Sequence, residues 1–431
     1  MTARAATTRD VLEDGQFRWF LLSRGLSNVG SVATYIALPV LVYRSSGSAS
    51  LTALVAACEA APYLLLGLFS GALTDRWNRK RVMVAADVAS TLLLATIPLA
   101  HAFAQVTIAH VLVVAFLGPA IGVFFDGAVF GAIPVLVGRD QIAVANSLTW
   151  SIQSLTEIVV PSVVGVMLAF LDPSWLLGAD AVTFAASAAC IAAITRPLYD
   201  AARVRARLSV SGVLADIGEG LTYLWRHEGV RTMTLIGALQ CVCGGGFMAL
   251  YVVWIDRVLG LGTQGLRFGL VFAAWSVGSL AASVALPRLV QRVTPARIAL
   301  VSMPFSAVLG IAVTLVTVWW LAAIGMLLWS VAYTLVAVNS ITYRQQVTPE
   351  RLLGRVNTAG RMLSWGMGWT GGTLLAGVVV GRLGLRPTLT LFAAVALVGV
   401  LVAWTSPLRR PRADEASAES APEAAVAPTS S

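Results

Sequence analysis

Between Phe17 and Trp404 the sequence is a succession of apolar stretches, each of roughly 20 residues, parted by short intervals rich in Arg, Pro and Gly. A helix of that length crosses a hydrocarbon core ~30 Å thick, and in lipid only helices and closed barrels satisfy their own backbone hydrogen bonds. The chain is 58% hydrophobic and 12% charged. A soluble domain carries about 25% charged residues, so the apolar excess requires lipid as a second solvent. These constraints predict an all-α membrane protein.

Reading the apolar runs between charged or Pro/Gly punctuation places twelve spans at 17–42, 51–74, 82–100, 106–131, 148–171, 174–195, 231–255, 266–287, 297–316, 318–341, 358–380 and 388–405. Residues 1–16 are polar, and no cleavable signal is expected there. Most of the arginines, Arg344 among them, and the single lysine fall in intervals on the N-terminal side of the membrane. The opposite loops hold only Arg44, Arg257, Arg267, Arg382 and Arg386. By the positive-inside rule both termini are expected in the cytoplasm, which also accounts for the basic pI without nucleic acid. Cys58, Cys190, Cys241 and Cys243 fall within apolar runs, where they read as small hydrophobes with no disulfide or metal role.

The two halves resemble each other. VGRDQIAVANSL at 137–148 aligns with TPERLLGRVNTA at 348–359, setting Asn146 over Asn357; the same interval sets GALTDRWNRKR at 71–81 over ASVALPRLVQR at 282–292. The second copy keeps cations but has Leu286 where the first has Asp75. Duplicated six-span halves with a central site are a transporter architecture. The expected organisation is a cytoplasmic tail (1–16), an N-terminal six-helix bundle (17–196), a linker (197–230), a C-terminal bundle (231–405) and a disordered tail (406–431). The linker contains RVRAR and then a segment of helical apolar period, which reads either as a lipid-contacting strap or as a connector shielding its apolar face.

Ionisable groups inside spans cost at least ~2.5 kcal/mol at the centre on insertion scales, so each is a functional candidate. Arg24, Glu59, Asp126, Glu157 and Arg361 stand out as proton-coupling or buried-charge candidates. Arg24 and Asp126 fall at similar depth and are expected to pair, either as a static packing device or in gating. Glu59 and Glu157 have no cation adjacent in sequence. A carboxylate among apolar neighbours can exchange a proton near neutral pH, as a carrier must, although a neutral hydrogen-bonded Glu fits equally. Trp150, Gln153 and Ser154 share a helix face with Glu157. Asp87 and Asp180 read as structural contacts. Asn28, Tyr35, Gln240, Trp275, Trp365 and Trp369 are cavity candidates, since aromatic faces hold apolar or cationic solutes and amides orient polar groups. CGGG at 243–246 and GMGWTGG at 366–372 read as close-packing sites.

GALTDRWNRKR, between the second and third spans, resembles the G-x-L-a-D-r-x-G-r-[KR] signature of the major facilitator superfamily, with Gly71, Leu73, Asp75, Arg76, Arg79 and Lys80 on the motif. Asn78 replaces the second glycine, a change suited to a residue that tolerates the left-handed region. The resemblance covers about 17–405 and implies two pseudo-symmetric six-helix bundles. It also implies a gating role for Asp75 against the start of the eleventh span, with Arg76, Arg79, Lys80 and Arg81 holding acids or lipid phosphates. Topological anchoring alone also accounts for the last three cations.

Within the superfamily, SRGLSNVGSVATYIALPVLVYRSSGS, ADIGEGLTYLWRHEGVR and LLGRVNTAGRM resemble the drug:proton antiporter branch of macrolide-efflux and enterobactin-exporter type. Ser31 stands where that branch often carries an acid, and its span-five signature survives as Val160, Pro161 and Gly165. The resemblance implies proton-driven export of an amphiphilic or hydrophobic drug by a monomer in the inner membrane, in contact with lipids and without a cofactor or metal. Export of a siderophore or a self-made metabolite is the alternative. A membrane enzyme lacks a visible nucleophile, base or metal constellation, and the tail after Arg412 is too short for a sensor's signalling domain.

Overall fold

The computed structural model describes residues 8–74, 77–138, 141–198 and 210–409. Span 1 is Gly15–Ser46, span 2 Ala49–Thr74, span 3 Arg79–Ala102, span 4 Ile108–Val137, span 5 Ile142–Met167 and span 6 Pro173–Ala193. In the second half, span 7 is the pair Glu228–Met248 and Tyr251–Arg257, bent by 48°. Span 8 is Leu266–Val290, span 9 Pro295–Leu315, span 10 Trp319–Val347 and span 12 Leu385–Thr405. Span 11 joins Glu350–Arg361, a π-helical segment Met362–Trp369, and Thr370–Leu383. Eleven helices are long and apolar enough to cross a membrane, twelve with the bent pair taken as one span.

Short polar side chains set many of the helix starts. Asp14, Asn78, Thr107, Asp172 and Thr294 each occupy an N-cap and accept a hydrogen bond from a backbone N–H of the first turn. Asn78 does this in an extended conformation, at φ −65° and ψ 104°, so it substitutes for the motif glycine as a cap and not through left-handed backbone. Spans 1 to 6 form one bundle, with span 6 packed on spans 1 and 3, and span 4 on spans 2 and 3. Spans 7 to 12 repeat the plan, with span 12 on spans 7 and 9, and span 10 on spans 8 and 9.

The bundles join along two seams, span 5 on span 8 and span 2 on span 11. Polar residues before span 1 are more ordered than the expected tail: a helix covers Thr8–Glu13, and the Arg196 guanidinium reaches the Asp14 carboxylate at 3.0 Å. The linker helix Val210–Arg226 docks on Glu350–Arg361, where Arg355 pairs with Glu219 and the Tyr223 hydroxyl donates to the Val347 carbonyl at 3.3 Å. It thus belongs with the second bundle, while RVRAR lies outside the described residues.

Glycine governs the tightest packing in span 7. A Cβ on Gly244 would stand 2.7 Å from the Tyr333 ring, on Gly245 2.5 Å from the Trp369 carbonyl, and on Gly246 2.1 Å from Phe392. Three successive residues without side chains thereby let span 7 touch spans 10, 11 and 12 at once. Gly245→Leu meets backbone, which cannot move aside as a side chain can. It is expected to lower stability by about 1–3 kcal/mol, read as a fall in the unfolding midpoint of the purified protein.

Among the described residues, the hydrogen bonds that cross between bundles all lie at the face opposite the termini, here the distal face. The Gly265 amide donates to the Gly165 carbonyl at 2.5 Å, and a Cβ on Gly269 would lie 2.5 Å from the Pro161 carbonyl. Beside this crossing the Tyr43 hydroxyl donates to Asp256 at 2.6 Å and accepts from Arg257 Nε at 2.9 Å; Arg257 also donates to the Gly47 carbonyl at 2.6 Å. Arg44 binds Thr263 Oγ1 at 2.8 Å, Gln264 at 3.0 Å and the Leu168 carbonyl at 3.2 Å. Arg44 and Arg257, read in the sequence as loop cations, therefore clamp the distal face shut. Combining Tyr43→Phe with Arg44→Ala is expected to raise labelling of a Leu168→Cys probe by a membrane-impermeant maleimide about tenfold, because the buried 168 position becomes accessible only when this face opens.

Candidate functional site

Polar side chains that hydrocarbon would penalise gather on the inner faces of spans 1, 2 and 4. Arg24 in span 1 is buried, and its Nη1 lies 3.4 Å from Asp126 Oδ1 in span 4, while its guanidinium covers the Phe125 ring at 5.4 Å. The expected pair is therefore present. Its two members differ in setting: the Arg24 side chain is 11% exposed and that of Asp126 41%. Glu59 in span 2 is buried, and its Oε2 has no hydrogen-bond partner among the described residues. One turn further on, Tyr63 interacts electrostatically with Arg24, Glu59 and Asp126, and Tyr35 of span 1 with Glu59.

Tyr35 and Tyr63 are 42% and 53% exposed, and their electrostatic neighbours are Glu59, Asp126 and Arg24, groups that hydrocarbon would penalise, which places them toward the space between the bundles. Arg361, at the start of the π-helical segment of span 11, reaches Asp126 electrostatically from the opposite bundle. One face of the space is thus acidic and phenolic with a bound cation, and the other brings a second cation towards Asp126. Chemically, such an arrangement offers aromatic faces to an amphiphilic solute and the exposed side of Asp126 to a charged group.

Glu157 is half-buried in span 5 and accepts a hydrogen bond from Gln153 Nε2, one turn earlier, at 3.0 Å. Trp150 on the same helix is 60% exposed. Trp365 stacks on Trp369 at 5.5 Å and 20°. Asn28 is half-buried, with its Nδ2 unpaired among the described residues.

Gln240 is placed otherwise than a cavity lining would require: it is wholly buried, and its amide donates at 2.5 Å to Ser306, which also accepts from Trp329. Trp275 likewise packs against Trp329 and Tyr333. Asp87 accepts from Ser187 at 2.6 Å, and Ser187 meets Ser23 and Ser27 of span 1. Asp180 accepts from Thr34 and Thr183. Both acids therefore tie span 6 to its neighbours by hydrogen bonds.

Of the basic loop, Asp75 and Arg76 lie outside the described residues, and Gly71 lies in the last turn of span 2, whose side chains there are not described. Arg79 is buried, and its Nη1 donates to the Gly131 carbonyl of span 4 at 2.9 Å. The Lys80 ammonium donates to the Ala192 and Ile194 carbonyls at 2.9 and 2.6 Å. In these contacts Arg79 braces span 4, and Lys80 caps the end of span 6, where unpaired C=O groups and the helix dipole attract positive charge.

Two residues of the candidate sites are hard to see in the sequence. Tyr63 carries no charge, and its place is visible only as the residue four after Glu59. Span 10, expected to end at 341 with Arg344 in the following loop, continues to Val347 and buries Arg344 to 1% exposure. The signal that could have found it is Pro349, since helices end at or before the residue preceding proline.

Comparison with known proteins agrees with this architecture. The multidrug efflux pump Tap of Mycolicibacterium fortuitum is 28% identical over 400 residues, covering 89% of this chain and 94% of the pump. Macrolide efflux protein A of Streptococcus pyogenes is 22% identical over 218 residues, 50% of this chain and 53% of that protein. The nucleoside transporter NupG superposes with a TM-score of 0.73 at 14% identity, over 92% of this chain and all of that one. A bacterial homologue of the iron transporter ferroportin, in an inward-facing state, gives 0.69 at 20% identity over 90% and 96%. At such identities the structural likeness carries the fold alone. The family described as transmembrane secretion effector matches residues 6–429, and the chain belongs to it: it is a transporter of the major facilitator superfamily.

Proposed function

We propose that this transporter exports a small amphiphilic or hydrophobic compound, a drug or an antibiotic, across the bacterial plasma membrane in exchange for protons. The observation that carries the reading is the group of Arg24, Glu59, Tyr63 and Asp126 facing Arg361 behind a shut distal face. The names of the full-length efflux relative and of the macrolide-efflux relative support the direction and the class of cargo. Arginine asymmetry supports cytoplasmic termini, which makes the distal face extracellular and the described state one closed to the outside. Lipid surrounds the bundle, and one chain contains both halves, so a monomer suffices. The Asp75 latch remains the proposed lock for the opposite face.

Alternating access then proceeds by rocking of the two bundles. In the state closed to the outside, Asp126 holds Arg24 and attracts Arg361. A proton arriving on Asp126 removes both attractions, while Glu59, with one oxygen unpaired among the described residues, offers a second acceptor close by. Coupling follows because solute and proton compete for the same acidic face. Glu157 sits on the span that forms the distal seam and can report protonation to it through the Gln153 contact.

Solute accumulation in an efflux-deficient host tests the proposal. Wild type is expected to lower accumulation only while the proton gradient stands, and persistence of export after the gradient collapses would reject proton coupling. Asp126→Asn and Glu59→Gln are expected to reduce gradient-driven export at least tenfold while leaving solute binding measurable. Glu157→Gln is expected to slow export less, since its carboxylate keeps a hydrogen-bond partner that the amide can also satisfy. If the Asp126 and Glu59 variants both export at the wild-type rate, these carboxylates do not carry the proton.

A further inference from the structure

The charge distribution of the two bundles is lopsided. Spans 1 to 6 contain Glu59, Asp87, Asp126, Glu157 and Asp180, whereas the acids of spans 7 to 12, Glu228, Asp256 and Glu350, all lie at helix ends. Within this acid-poor half the side chain of Arg344 is buried to 1% exposure, with no carboxylate paired to it among the described residues. Its Nη1 donates to Thr234 Oγ1 at 3.3 Å, and its Nε has no partner among the described residues. Room for the guanidinium depends on Gly360, where a Cβ would fall 2.1 Å from Nη1. Arg361 acts on it as a second positive charge.

Arg344 lines a cavity of about 10 Å³ together with Gly237, Cys241, Ser340, Ser364 and Trp365. That is room for one species of water size. Ser364 is buried, belongs to the π-helical segment of span 11, and also has a hydroxyl without a partner among the described residues. A π-helical turn is costly in regular packing and recurs where a helix presents groups to a ligand. Two unpaired donors, one of them cationic, therefore converge on a space that hydrocarbon cannot usefully fill. An uncompensated guanidinium at this depth is a strong attractor for a negative charge small enough to enter.

We propose that Arg344 and Ser364 form a binding site for one small monatomic anion of about chloride size. Anion binding there would neutralise the second bundle's cation and pin span 11 to spans 7 and 10, since Ser364, Gly237 and Arg344 come one from each. The site is separate from the acidic face of the first bundle, so its occupancy can be tested without reference to proton coupling or export.

The test uses the full-length protein purified in detergent, with sodium chloride, sodium formate or sodium gluconate at equal ionic strength; gluconate is too large for the cavity. Chloride is expected to raise the unfolding midpoint of wild type by about 2–4 °C over gluconate. A rise in chloride alone assigns the site to a halide, whereas a matching rise in formate, whose three heavy atoms exceed a space of water size, marks a general salt effect and overturns the proposal. Gly237→Ala directs a methyl group into the cavity, 2.9 Å from the movable Ser340 hydroxyl and 3.5 Å from that of Ser364, and keeps Arg344 in place. It is expected to fold and to lose the anion response. Ser364→Ala is expected to shift the chloride titration severalfold to higher concentration. Equal midpoints for wild type in all three salts, or an undiminished response in Gly237→Ala, would overturn the proposal.

Discussion

The contact on which the described arrangement depends is the crossing of spans 5 and 8, where backbone meets backbone. The Gly265 amide reaches the Gly165 carbonyl at 2.5 Å, and a Cβ on Gly165 would come within 2.7 Å of the Gly265 carbonyl. A side chain at either seam position would hold the helices apart, and the clamps by Tyr43, Arg44 and Arg257 would lose their partners across the gap. Because packed helices cannot compress, these contacts fix the spacing of the two bundles at the distal face.

Charge is organised by the same geometry. Arg24 is stabilised by Asp126 and by the face of Phe125, and its charge also reaches Asp87. The acids that do not face the chamber are quenched differently: Asp87 by Ser187, Asp180 by Thr34 and Thr183. Hydroxyl partners hold a carboxylate without supplying charge. Glu59 stands apart from both patterns, since one of its oxygens is unpaired among the described residues while it lies next to two tyrosines of the chamber.

Much of this was legible in the sequence because the bilayer imposes a length and a polarity that apolar runs report directly. The span positions, the Arg24–Asp126 pair and the Gln153–Glu157 contact all follow from depth and helical spacing, which are local properties. What was illegible depends on partners far apart in the chain. Nothing around Tyr43 or Asp256 shows that they meet across the bundle interface, 213 residues apart. Nor does the local sequence of Gln240 reveal that Ser306 and Trp329 enclose it. Arg344 was misplaced for a different reason: a cation near a helix end reads as topological until the helix is seen to continue past it.

The basic loop separates two tasks that its motif fuses. The contacts of Arg79 and Lys80 with carbonyls of spans 4 and 6 brace the first bundle. Only an element that contacts both bodies can bias their rocking, which leaves that task to groups such as the distal clamp, the span 5 and 8 crossing and the proposed Asp75 latch. The duplicated segment is consistent with this division: at 282–292 it retains Arg288 and Arg292 but has Leu286 in the place of the acid. A bracing role is useful in both halves, whereas a lock needs a bolt on one side only.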